Sequence, residues 1–219
     1  MTDLNLSAKG LALIDLYKKM AQEGYTRSDG EVVKVAFSDF ELRFYRNEIK
    51  PAFEHVGISS LLDYGAGGSD WVAKGFDESG LSATEFFGLS KVSLYDPARA
   101  IDERIMSDCV VCFDVLEHIH ILDVRKIVVD LFRHAEKLLI INVACYSAAA
   151  QLPNGENAHI TVRHPLWWKG LIDSVSVEFP NVAVWLMCST GWRETHHFAV
   201  WRADDWATQE EFVVKDGFY

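Results

Sequence analysis

The stretch that decides the fold is LLDYGAGGSDW, residues 61–71. An apolar run ends in Asp63, and Gly65, Gly67 and Gly68 follow before Ser69 and Asp70. Such a pattern predicts a strand, a tight glycine turn and a helix starting at Ser69–Asp70. Glycine lets a backbone turn sharply and approach a ligand closely. A helix that begins there would offer unpaired N–H groups and the positive end of its dipole to a carboxylate or phosphate. A plainer reading also exists, because any doubly wound fold needs a glycine-rich turn between strand and helix.

Working outward, short apolar runs alternate with helical stretches. The runs are SSLLDY (59–64), KVSLYD (91–96), CVVCFD (109–114), KLLIINVA (137–144), NVAVWLM (181–187) and HFAVWR (197–202). Helix candidates lie near 69–76, 98–105, 121–135 and 165–175. This alternation predicts an α/β fold with a parallel sheet covered on both faces. The last two runs are joined by too few residues for a helical crossover, so they are expected to form an antiparallel pair at one edge. A third strand is poorly defined, with only ERIM before Ser107. Residues 1–57 read as an N-terminal helical extension. A first helix carries Leu11, Leu13, Ile14, Tyr17 and Met20. A second starts near Ser38 or Asp39, and Pro51 is expected to kink or break it. The core domain spans 58–202. A polar tail, 203–219, carries Trp206, Phe212 and Phe218.

The chain has 219 residues, enough for one domain with decoration. Its net charge is −11, so it repels phosphate backbones at long range, and nucleic acid is a poor default partner. No apolar run reaches the ~20 residues of a membrane span. No secretory signal is evident at the start, and four cysteines do not make a disulfide scaffold. The expected compartment is the reducing cytoplasm. Cys109 and Cys112 form a C-x-x-C, but on a strand they would face opposite ways. They are expected to act as buried small hydrophobes.

Two further segments carry chemistry. Asp96 ends the strand KVSLYD, where an acid commonly accepts hydrogen bonds from a ribose diol. CFDVLEHIH, 112–120, puts Asp114, Glu117 and His118 just beyond another strand, at the edge where open parallel sheets bind ligands. Each has an ordinary alternative: a solvated loop acid for Asp96, a packing histidine for His118.

Together the three segments resemble the class I S-adenosylmethionine-dependent methyltransferases over about residues 58–202. LLDYGAGGSDW is similar to that family's D/E-x-G-x-G-x motif, YDP to its second-strand acid, and FDVLEHI to the D-V-L-E-H-[IV] stretch of its small-molecule enzymes. The resemblance implies a Rossmann-like, seven-stranded sheet in the order 3-2-1-4-5-7-6 with the last strand antiparallel. It implies that Asp63, Gly65, Ala66, Gly67, Gly68 and Ser69 hold the methionine part of S-adenosylmethionine. Asp96 would hold the ribose, and Asp114, Val115 and Leu116 would line the sulfonium side. The chain departs from the pattern in two places: the separation of Gly65 from Asp96 exceeds the ~20 residues usual in dinucleotide folds, and the adenine side is marked only by Ser107 and Asp108.

On the acceptor side, residues 145–170 form a long segment rich in polar and aromatic groups. It is expected to close over the cofactor as a lid. His118 and His159 are the candidate bases. Glu117 is third and is expected to point to solvent. Asn157, Arg163, Trp167 and Trp168 are candidate substrate contacts, with at least one of the tryptophans expected in the core. No metal is implied, since no H-x-x-x-H or H-E-x-x-H spacing occurs. The expected activity is methyl transfer to oxygen or nitrogen of a small-molecule acceptor. The alternatives are a methyltransferase-like binder without catalysis, or a nicotinamide-dependent oxidoreductase, which would need G-x-G-x-x-G.

Overall fold

The computed structural model describes residues 4–34, 37, 39–191, 194–200 and 212–215. Ser38, Trp206, Phe218 and the rest of the expected tail lie outside the described residues, apart from 212–215. The N-terminal part contains α1 (Ala8–Glu23), a small hairpin of β1 (Tyr25–Arg27) and β2 (Val32–Val33), α2 (Phe40–Phe44) and α3 (Arg46–Val56). Ser7 caps α1 by accepting from the Gly10 N–H. The break in the second helical stretch falls at Tyr45, and Pro51 sits inside an unbroken α3. Buried Ile49 and Phe53 anchor that helix on either side of the proline.

The central sheet starts with β3 (Ser60–Tyr64), then α4 (Ala83–Phe87), β4 (Lys91–Asp96), β5 (Ile101–Asp102), β6 (Ser107–Phe113), α5 (Ile121–His134) and β7 (Ala135–Ala144). After β8 (Ala150–Gln151) come α6 (Pro165–Ser176), β9 (Ala183–Gly191), β10 (Glu194–Val200) and β11 (Phe212–Lys215). Eight strands lie in the order β11-β10-β9-β7-β6-β3-β4-β5. The pairs β4–β3, β3–β6, β6–β7 and β7–β9 are parallel. The expected antiparallel pair at one end is present as β9–β10.

The strand order differs from the expected one. The last run is not inserted beside β7; β9 takes that place and runs parallel, and β10 lies outside it. The third strand expected in sequence, beyond β4, does not form as a parallel strand among the described residues. β5 folds straight back on β4 as an antiparallel partner, because the residues between β4 and β6 are too few for a helical crossover. The helix expected at 98–105 is only a 3₁₀ turn, Pro97–Arg99, capped by Asp96. The helix expected at 69–76 is absent as well: 70–82 run as bends and turns. There Trp71 is buried, donates to Asp63 and accepts through its carbonyl from Thr84, contacts that override local helix preference.

The alternation of side chains across the sheet builds two cores. Val110 and Cys112 face α5 and α6 with Val128, Leu131, Trp168 and Ile172. Cys109 and Val111 face the other way, toward Ile49, Phe53, Trp71 and Phe87. The two cysteines therefore take the buried, opposite-facing places the strand period required, and all four cysteines are free thiols. In α5 the buried residues Val124, Ile127, Val128 and Leu131 repeat at helical spacing. No described helix is long and apolar enough to cross a membrane.

Candidate functional site

A cavity of about 820 Å³ opens at the carboxyl ends of β3, β4 and β6. Asp63, Gly65, Ala66, Gly67, Ser69, Asp96, Asp114, Val115, His118 and His159 all line it. Three segments far apart in sequence thus meet at one place. Leu116 is fully buried in the core behind this wall, and Gly68 turns aside to donate its N–H to the Phe37 carbonyl. Ser107 and Asp108 begin β6, at the opposite edge of the sheet. Asp108 is engaged there by the Ser59 and Ser60 N–H groups, so the adenine reading of that pair is corrected.

The glycine turn is held by its own surroundings. Gly65 and Ala66 donate to the Tyr95 carbonyl, and Gly67 donates to Asp96 Oδ2 at 2.8 Å. Asp96 Oδ1 accepts from Ala98 and Arg99. Gly65 sits at φ +86°, and a Cβ there would lie 2.2 Å from Val115 Cγ2. With no helix following the turn, its N–H groups are committed within the protein rather than offered to an anion.

Among the described residues carboxyl groups dominate the wall: Asp39, Glu41, Asp63, Asp96, Asp114 and Asp123, against the guanidinium of Arg27. Burial pushes Asp63 up to about 6 despite hydrogen bonds from Trp71 and Ser69. Burial likewise pushes Asp114 up to about 6 and Glu41 to about 8, the latter aided by the charge of Asp114. Asp114 adopts φ +51°, a left-handed conformation that Asp tolerates better than most residues and that clusters at functional sites. Glu117 is fully buried rather than solvent-facing: its Oε1 accepts from the Ala144 N–H at 2.9 Å. Burial and the nearby Asp114 hold its carboxyl well above the usual range.

The N-terminal segment and residues 146–159 cover the opening together, whereas the end of the expected lid, from Pro165, is the start of α6. β1 pairs with both β2 and β8, making a small three-stranded sheet across the two segments. Leu13, Met20, Leu152 and Ala158 form an apolar cluster between them. Tyr17 Oη donates to the Ala158 carbonyl at 2.6 Å, and Ser7 binds Asp123 at the start of α5. His118 Nδ1 lies 2.8 Å from the same Ala158 carbonyl, and the two histidine rings meet edge to face at 5.0 Å.

The proposed acceptor contacts lie elsewhere. Asn157 braces its own loop, bonding Ala148 through both amide atoms and accepting from the His159 N–H. Arg163 is directed to the Val162 carbonyl and the face of Trp167. Trp168 is a fully buried residue of α6, and His164 caps that helix. Tyr17, Glu41 and Tyr146 line the cavity without having been singled out from the sequence. Nothing local marks them, since each acquires its position by long-range packing. The chain matches no family model, no curated protein and no solved structure.

Proposed function

We propose that the chain is an S-adenosylmethionine-dependent methyltransferase acting on oxygen or nitrogen of a small-molecule acceptor. The observation that carries the reading is the sign of the cavity: among its described lining residues stand Asp39, Asp63, Asp96, Asp114 and Asp123, with Glu41 keeping its proton up to about pH 8, against the guanidinium of Arg27, all at the carboxyl edge of a parallel sheet. An anionic wall suits a cofactor that bears a sulfonium and an ammonium. It disfavours a dinucleotide, whose diphosphate needs free N–H groups at a helix start, and the amides from Gly65 to Gly68 are already engaged. A volume of about 820 Å³ leaves room for cofactor and acceptor in one chamber.

In this reading Asp96 accepts the ribose hydroxyls with its remaining lone pairs, and Asp63 supports the glycine turn through Trp71 and Ser69. Asp114 and Val115 flank the sulfonium. Methyl transfer is an in-line displacement, so alignment and exclusion of water are the main requirements. The N-terminal helix and the 145–159 segment supply the cover. His118 and His159 stand on the acceptor side. Burial and the neighbouring His159 push His118 down to about 3, and burial lowers His159, so both rings are neutral at pH 7.

Isothermal calorimetry with S-adenosylhomocysteine tests the reading. Wild type should bind, and Asp96→Asn should weaken binding by roughly 10- to 100-fold, the loss of charge-assisted hydrogen bonds worth about 1.5–3 kcal/mol. Absence of binding by the folded wild-type chain would overturn it.

A further inference from the structure

We propose that Glu117, His118 and His159 form a binding site for one divalent transition-metal ion. One carboxylate oxygen and one ring nitrogen from each histidine lie within 4.8 Å of one another. Donor atoms about 2.0–2.2 Å from a tetrahedral zinc-sized ion stand about 3.4 Å apart, so the three must close in by up to about 1.4 Å, within reach of side-chain rotation.

The surroundings of each ligand fit the role. His118 Nδ1 faces the Ala158 carbonyl at 2.8 Å, and His159 Nδ1 faces the Tyr146 carbonyl at 2.5 Å. A carbonyl only accepts, so each Nδ1 carries its hydrogen and the free lone pair of each ring is on Nε2. A ligating histidine is commonly held this way, its second nitrogen donating to a backbone carbonyl. Glu117 is fully buried, and its Oε2 has no hydrogen-bond partner among the described residues. A metal cation would give that oxygen a partner.

The site is also rigid. Glu117 and His118 sit on a 3₁₀ turn, Leu116–His118, directly after β6. The Thr161 N–H donates to the Glu117 carbonyl at 2.8 Å, and Thr161 Oγ1 donates to the Ile119 carbonyl at 2.6 Å. These bonds lock the segment that carries His159 against the turn that carries the other two ligands. The histidines come from separate parts of the chain, which is why no metal-binding spacing is visible in the sequence. Two imidazoles and one carboxylate favour zinc, iron, cobalt or manganese over magnesium or calcium, which prefer all-oxygen sets. The rings of His118 and His159 line the cavity, so further coordination positions face the chamber.

The site does not depend on the methyl-transfer reading. If that reading holds, the ion would take an acceptor hydroxyl or a chelating acceptor as its open ligand and lower the pKa of that hydroxyl. It would thereby replace a histidine base.

The test uses the full chain, stripped with chelator and titrated with zinc chloride and cobalt chloride by calorimetry and visible absorption. Wild type should bind one ion tightly, with a cobalt spectrum of low coordination number. His159→Ala and His118→Ala should each weaken binding at least 100-fold, and Glu117→Gln at least 10-fold. Magnesium chloride should give no comparable binding. Wild-type zinc affinity no tighter than that of the folded His118→Ala/His159→Ala variant would overturn the proposal. S-adenosylhomocysteine binding measured on the same stripped protein separates the two ideas, because either ligand can bind without the other.

Discussion

Gly65 and Gly80 share a left-handed backbone but not a neighbourhood. Their φ angles are +86° and +83°; a Cβ at Gly80 meets open space, whereas one at Gly65 meets Val115 Cγ2 at 2.2 Å. Gly80→Ala should therefore cost only the conformational penalty of about 1 kcal/mol. Gly65→Ala should cost about 1–3 kcal/mol more, from overpacking. Urea unfolding of both variants checks this, and Val115→Ala added to Gly65→Ala should recover most of the difference. Equal losses in the two single variants would mean that Val115 moves aside freely. Glu41 supports a second expectation at this scale. Its pKa is pushed from 4.5 to about 8 by burial and then by the Asp114 charge. Between those values the folded state holds a proton that the unfolded state has lost. Its contribution to stability is thus complete below about pH 4.5 and is lost as pH rises through about 8, at up to about 1.4 kcal/mol per pH unit. Glu41→Gln should flatten the fall in melting temperature between about pH 5 and 8; an unchanged slope there would exclude Glu41 as its source. Asp63, Gly65, Gly67, Asp96 and Asp114 were legible because strand ends and glycines declare themselves locally. Glu41 and Tyr17 were not, since α2 and α1 reach the cavity only through tertiary packing.

At the scale of elements, the cover over the cavity is a joint structure. β1 pairs with β8, Lys9 pairs with Glu156, and Leu13 and Met20 pack on Leu152. None of these elements buries a face alone, so they should open together. Leu152→Ala removes a side chain that is 3% exposed and should weaken this unit by about 2–4 kcal/mol. Hydrogen exchange should then accelerate across α1, β1 and β8, while β3, β6 and β7 keep their protection. Acceleration confined to β8 would show that the N-terminal helix is held independently. The sequence reading found the lid segment but treated its cover as one loop, because a two-residue strand leaves no periodic signal. The missing helix after the glycine turn has a related cause. Asp70 accepts from the Val72 and Ala73 N–H groups as a helix N-cap would, but Trp71 is drawn back to Asp63 and its carbonyl is taken by Thr84, so no helical turn follows.

At the scale of the molecule, alternation of apolar runs with helices was enough to read a mixed α/β sheet, but not the order of its outer strands. Order at the edges depends on which run lies beside β7, and both NVAVWLM and HFAVWR are apolar candidates. The parallel partner is β9, delivered by α6, while the short link after it leaves β10 to turn back outside. The cavity that results is walled by α1, α2, the ends of β3, β4 and β6, and the 146–159 segment. A ligand filling it touches both the sheet and its cover, so its binding energy should appear as stability of the whole chain. S-adenosylhomocysteine at 100 times its dissociation constant should add about 2.7 kcal/mol. For a domain of this size that corresponds to a rise in melting temperature of roughly 5–10 °C. NAD(H) at the same concentration should give no rise, since its diphosphate would meet carboxylates and an engaged glycine turn. Scanning calorimetry with the two ligands in parallel distinguishes these outcomes: stabilisation by NAD(H) alone would assign the cavity to a dinucleotide and remove the sulfonium argument.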